Sequence, residues 1–234
     1  MIGMGGTVMD GNSLRADIIR RGEVAAHLFG WSEAHVAGFA QGVNEALAIP
    51  DKTAIAVHSE AYGFNIYDYC GPDMERTLSP FALARIGRFE GFKAVRSWHL
   101  EPKEPSAEAM KSQMKFWYLS GSCNFEIDDA ECEYIPDFPL SDIISERPAA
   151  SWIETLKIDH FERLSEGGEG YVDLIVERHR DPCFLADRGD GLAPGIFDGF
   201  HRIGASLAVG EQTCAVVYAR RLEPKLATQG PRSS

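Results

Sequence analysis

The sequence predicts a mixed α/β (α+β) protein, with a C-terminal α/β domain preceded by an N-terminal helical and mixed α/β extension. Three observations carry that expectation. Residues Ser13 to Leu47 place apolar side chains at spacings of three and four, the period of a helix buried along one face. Residues Thr53 to Ile127 break into short apolar runs separated by turn formers. From Glu133 onward, runs of strand length alternate with helix-period segments, and at Pro194–Val209 a short strand runs through Asp198-Gly199 into a helix. The 234 residues are therefore expected to divide into a flexible arm (1–13), an N-terminal mixed region (14–131), a C-terminal domain (132–222) and a disordered tail (223–234).

In chain order, Leu14, Ile18, Ile19, Val24 and Leu28 mark a first helix, and Val36, Phe39, Val43 and Leu47 a second. Gly30-Trp31-Ser32 separates them, with Ser32 as the cap of the second, and Pro50 stops it. Thr53–His58, Phe64–Tyr69 and Phe92–Leu100 read as β-like runs, the last ending at the turn Glu101-Pro102-Lys103-Glu104-Pro105. Ser106–Met114 reads as a helix, and Lys115–Leu119 and Cys123–Ile127 as strands. Tyr134-Ile135-Pro136 opens a short strand, Pro139–Ile143 is a loop or turn, and Ala149–Glu166 is an amphipathic helix ended by Gly167-Gly168. Its inward residues are Trp152, Ile153, Leu156, Phe161 and Leu164. Tyr171–Val176 reads as a buried strand, Pro194–Phe197 as another, Arg202–Val209 as a helix closed by Gly210, and Cys214–Tyr218 as the last strand.

Composition narrows the function. With 23 basic against 35 acidic residues, the net charge of −12 disfavours a nucleic-acid partner, because neutralising phosphates needs clustered Lys and Arg. No apolar run reaches the roughly 18 residues of a membrane span, and Met1–Gly6 lacks the basic and apolar regions of a secretion signal, so the chain is expected in the cytoplasm. Five scattered cysteines are expected as reduced thiols, and seven histidines without a close ligand pair give no structural metal. Glu23–Phe39 also has helix-turn-helix spacing through Ala26, Gly30 and Val36. Its second helix carries no Lys or Arg from Glu33 to Gln41, so a helical hairpin in the core stands beside DNA binding as a reading.

The chemistry concentrates at Asp198-Gly199-Phe200-His201-Arg202. At a strand-to-helix junction the first N–H groups of the helix lack intrahelical acceptors and sit at the positive end of its dipole, which favours an anion. Gly199 lets backbone approach closely, Arg202 adds a planar fork suited to phosphate, and His201 adds a donor that is able to carry charge. The alternative is that Asp198 caps the helix and Arg202 pairs with a carboxylate. Upstream, Glu146-Arg147 by itself reads as a solvated pair in a surface loop. Arg178, in the charged run Glu177–Asp181, either assists phosphate binding or marks the end of a strand.

The segment Tyr134–Arg221 resembles the ParB and sulfiredoxin-like superfamily. The likeness lies in the opening "IPDFPLSDI", the helix "WIETLKIDHFERLSEGG", then "YVDLIVER", "GIFDGFHRIGASLAVG" and "CAVVYARR", with D-G-x-H-R as its most specific part. The resemblance implies a nucleotide-phosphate site at Gly199, His201 and Arg202; Arg147, beside Glu146, either stabilises the charge of that carboxylate or holds a phosphate. Sulfiredoxin chemistry does not follow, because Phe200 occupies the place of its reactive cysteine. A partition protein's helix-turn-helix would follow Arg221, where only a short tail stands. The free serine kinases of the superfamily are closest in motif, and they imply Glu146 as the base for a substrate hydroxyl, Asp198 and His201 as catalytic partners, and Mg²⁺ held at Asp198. The function so implied is a nucleotide-dependent phosphotransferase or nucleotide hydrolase using ATP or CTP with Mg²⁺ on a small hydroxyl-bearing substrate. A noncatalytic nucleotide- or DNA-responsive regulator is the alternative, and no membrane partner is expected.

Overall fold

The computed structural model describes residues 11–50, 71–100, 104–118, 130–178, 181–188 and 191–221. The expected runs at Thr53–His58, Phe64–Tyr69 and Cys123–Ile127 and the tail from 223 lie outside them. Among the described residues the chain is α+β, and it divides into two units. The first takes residues up to Lys103, Arg147–Asp181 and His201–Gln212; the second takes Glu104–Glu146, Pro182–Phe200 and the residues from Thr213 on.

The first unit is helical. Helix α1 (Gly11–Phe29) buries Ile18, Arg21, Gly22, Ala25 and Phe29, one stripe at helical spacing. Gly30 turns the chain at φ +73°, a conformation that glycine adopts without a Cβ clash, and Ser32 caps α2 (Glu33–Leu47) by accepting from the His35 N–H. Both helices and the Ser32 cap match the sequence expectation, except that α1 starts at Gly11, within the residues 1–13 expected as a flexible arm. A single turn α3 (Met74–Thr77) then leads to α4 (Pro80–Trp98), where Ser79 accepts from Ala82 N and Pro80 starts the helix.

Helix α4 corrects the β-like reading of Phe92–Leu100. Its buried residues Leu83, Ile86, Gly87, Gly91, Ala94 and Val95 repeat at three and four, and the run from Phe92 is its second half. Helices α2 and α4 approach through glycines. At Gly38 and Gly42 a Cβ would stand 2.0 Å from the Ala84 and Arg88 carbonyl oxygens, and at Gly87 and Gly91 2.1 and 2.4 Å from those of His35 and Phe39.

Helix α5 (Ala107–Tyr118) belongs to the second unit and replaces the expected strand at Lys115–Leu119 as far as Tyr118, continuing the helix expected to end at Met114. Strand β1 (Ala130–Pro139) is longer than the expected Tyr134–Pro136, and its pairing shifts between Ile135 and Phe138, where Pro136 has no N–H to donate. Leu140–Ile143, expected as a loop or turn, is one helical turn, α6.

Returning to the first unit, α7 (Ala149–Ser165) buries Trp152, Leu156, His160 and Leu164 as one stripe. Val172–Val176 is a short helix, α8, not the expected buried strand. A five-residue apolar run does not distinguish the two, and here Ile175 and Val176 are buried in a helical core with Ile18, Phe29, Val95 and Leu156.

A buried strand does follow, β2 (Cys183–Ala186), buried at all four residues and not foreseen in the sequence. It is followed by β3 (Gly195–Asp198), α9 (Phe200–Ala208) and β4 (Thr213–Arg221). The sheet order is β1-β4-β2-β3, with β4 antiparallel to β1 and parallel to β2, and β2 antiparallel to β3. Alternate residues Phe184, Ala186, Val217 and Ala219 pack with Met110 and Met114 of α5, as period-two strands require. Among the described residues, Cys132, Cys183 and Cys214 form no disulfide, and Cys183 is buried.

Candidate phosphate-binding site

Strand β3 ends at Asp198, and helix α9 starts at Phe200, so Gly199 alone makes the corner. Its φ is +99°, and a Cβ there would lie 2.5 Å from the Cys183 sulfur and 3.0 Å from the Cys183 Cα. Conformation and contact both require glycine. The Cys183 thiol donates to the Gly199 carbonyl at 3.6 Å, and Asp198 Oδ1 accepts the Gly199 N–H at 2.7 Å. One oxygen of Asp198 therefore holds the Gly199 N–H in the turn. No acidic residue stands in the first turn of α9.

His201, in the first unit, points its Nε2 at Asp159 Oδ2, 2.8 Å away, and stacks on Tyr171 at 4.1 Å between ring centroids. An imidazole held by a carboxylate at Nε2 presents Nδ1 as an acceptor when neutral and as a donor when protonated. Tyr171 also reaches a second histidine, its backbone N–H donating to His160 Nδ1 at 2.8 Å.

Arg202 follows His201 in the first turn of α9 with its Nε buried, and Glu146, Arg147 and Arg178 each make contacts within their own unit. In the second unit, Glu146 Oε1 accepts the Ala193 N–H at 3.2 Å, and Oε2 lies 3.5 Å from Arg188 Nη1, so the carboxylate clasps the connection between β2 and β3. In the first unit, Arg147 donates to Ser151 Oγ and to Ser151 O, both at 2.7 Å, and to Thr155 Oγ1, with its guanidinium over Trp152. That places a cation on the first turn of α7. Arg178 lies over the Trp98 ring at 5.4 Å, and its N–H donates to Ser97 Oγ.

Among the described residues no group of three or more His, Cys, Asp or Glu side chains is placed to hold a metal ion. A Mg²⁺ at Asp198 would therefore take most of its oxygen ligands from phosphate and water, the usual arrangement for that ion.

Sequence reasoning missed Asp159 and Tyr171, the two groups that orient His201. Asp159 is 42 residues away and sits beside the buried stripe of α7 without belonging to it, so no spacing announced it. It also missed His35, which is fully buried in α2 between Glu75 Oε1 at 2.5 Å and Glu90 Oε2 at 2.6 Å. Compared with protein-family models, curated proteins and solved structures, the chain matches none.

Proposed function

We propose that the chain binds the phosphates of a nucleoside triphosphate, ATP or CTP with Mg²⁺, at the turn from Asp198 to Arg202, and passes the terminal phosphoryl group to a small hydroxyl-bearing molecule or to water. The observation that carries this reading is the corner at Gly199. A glycine corner at φ +99°, with Cys183 behind it and its own N–H held by Asp198, leads straight into a nine-residue helix that carries no acidic residue in its first turn. Arg202 adds a fork for phosphate oxygens, and His201, held by Asp159, adds a group that donates to phosphate or accepts a proton.

Glu146 serves as base in this scheme by exchanging the Ala193 N–H and Arg188 for the substrate hydroxyl, which requires the β2–β3 connection to move. The same clasp favours the second reading, a noncatalytic nucleotide-responsive regulator. A nucleic-acid role finds little support in α2, whose exposed residues Glu33, Ala37, Gln41 and Asn44 include no cation.

The test is calorimetry and steady-state turnover with ATP and CTP, with Mg²⁺ and with serine as a trial acceptor. Arg202→Ala is expected to weaken nucleotide binding by roughly tenfold or more, with the melting temperature little changed. Glu146→Gln is expected to keep affinity and to lose about 10²–10⁴-fold in kcat. Nucleotide binding without turnover in the wild type selects the regulator, and absence of nucleotide binding removes both readings.

A further inference from the structure

The first unit contains a cavity of ≈ 110 Å³ lined by the end of α1, α3, α4, α7 and the start of α8. Its walls are aromatic, with Phe29, Trp31, Phe89 and Phe161, and its polar groups are mostly acidic, with Glu75, Glu90, Glu169 and Asp173. Lys93, the lining cation, is held by Asp173 at 2.6 Å. Protonated His35 behind Glu75 and Glu90 and Lys93 together offset two of the four carboxylates, leaving a net charge of −2. An anion is unwelcome there. A cation meets carboxylates and ring faces together, two attractions that strengthen as water is excluded.

Two polar groups in the wall are left with unused capacity. Glu90 gives Oε2 to His35, and among the described residues Oε1 accepts no hydrogen bond. His160 is 4% exposed, stacks on Phe29 at 3.8 Å, and uses Nδ1 to accept from Tyr171 N. The proton of the neutral ring is therefore on Nε2, which among the described residues has no partner. Burial holds this imidazole down to a pKa of about 4, so it remains a neutral donor at neutral pH. The ring lines the cavity, so its Nε2–H is a donor available to a complementary group there.

We propose that this cavity is a binding site for a small organic cation, a protonated amine on a short apolar body, with its ammonium group on Glu90 Oε1 and a hydrogen-bond acceptor, where it has one, on His160 Nε2. The volume sets the size. An engineered cavity of about 150 Å³ takes benzene, so the enclosed part here holds roughly five non-hydrogen atoms. This inference does not depend on the nucleotide reading, and nucleotide binding neither supports nor weakens it.

The test uses the full-length protein and four near-isosteric probes, 3-methylbutylamine, 3-methoxypropylamine, 3-methylbutanol and 3-methylbutanoate, followed by calorimetry at low ionic strength. Both amines are expected to bind saturably, the methoxy amine the more tightly because its ether oxygen meets His160. The alcohol is expected to bind roughly tenfold more weakly than 3-methylbutylamine, and the carboxylate not measurably. Glu90→Gln is expected to erase the preference for amine over alcohol. Because that variant also disturbs His35, Glu169→Gln at the exposed rim provides a second comparison and should reduce amine affinity a few-fold while leaving the alcohol unchanged. Equal binding of amine and alcohol, preference for the carboxylate, or no amine binding at millimolar concentration overturns the proposal.

Discussion

His35 and His160 are both buried in the first unit, yet their surroundings drive them in opposite directions. Burial alone pushes His35 down, but the Glu90 and Glu75 carboxylates on its two nitrogens outweigh it and raise the pKa to about 9. The same contact, against the burial of Glu75, lowers that carboxyl below its usual value. His160 has no carboxylate partner, and burial takes it to about 4. The signs follow from proton linkage with an unfolded value near 6.5. Folded His35 holds a proton that the unfolded chain releases above about 6.5, so its stabilisation is complete below that pH and is lost as pH rises towards 9. Folded His160 refuses a proton that the unfolded chain takes up below about 6.5, so stability falls as pH drops towards 4. Each limb is on the order of 3 kcal/mol, and urea unfolding measured from pH 4 to 9 should give a maximum near pH 6.5. In His160→Gln the acid limb should flatten while the alkaline limb stays. An unchanged acid limb would assign that slope to other groups, of which Glu75 and Asp17, both lowered, act below their usual carboxyl range.

The glycines of α2 and α4 set how closely these helices run. Carbonyl oxygens at 2.0 to 2.4 Å from the four hypothetical Cβ positions leave no side chain to yield, so an added methyl group must push backbone apart. Gly38→Ala and Gly42→Ala should each lower stability by roughly 1–3 kcal/mol or more, despite the better helix propensity of alanine. Gly11→Ala, with nothing within 4 Å, should be neutral or slightly stabilising. Denaturant midpoints at constant slope decide it, and equal effects at Gly42 and Gly11 would mean that the pair is looser than described. Elements with local punctuation were legible in the sequence: Gly30 and Ser32 fixed the ends of α1 and α2, and Asp198-Gly199 fixed the corner before α9. Helix α8 was not, because Val172–Val176 is too short for its period to show and its partners Ile18 and Phe29 lie some 150 residues earlier. At the site, the corner residues were readable from their chemistry in one stretch. The Asp159 that orients His201 was not, since only folding brings it near.

Over the whole molecule the two units are interleaved along the chain, each built from three separate stretches. The resemblance segment, residues 132–222, was expected to be a domain of its own, and the cores say what it would lack. Leu156, Ile175, Val176 and Val209 from this segment are buried in one cluster with Ile18, Phe29, Val43 and Val95, all from before residue 132. Arg21 of α1 also donates to the Ile175 carbonyl and pairs with Glu211 at 2.5 Å. Removing the N-terminal region would return those four aliphatic side chains to water. At roughly 1.5–3 kcal/mol each, the loss is comparable to the total stability of about 5–15 kcal/mol of an ordinary domain. The second unit loses Met110 and Met114 of α5 by the same cut, which uncovers Phe184 and Val217. The expected outcome is that a fragment of residues 132–222 shows no cooperative thermal transition, binds a hydrophobic dye and is digested rapidly, while the full chain melts cooperatively. Adding a separate fragment of residues 1–131 should restore protection in proportion to its concentration, because the missing contacts are supplied by mass action. A fragment 132–222 that melts cooperatively by itself would show that its own sheet and helices suffice, and that the N-terminal helices are an addition to a complete domain.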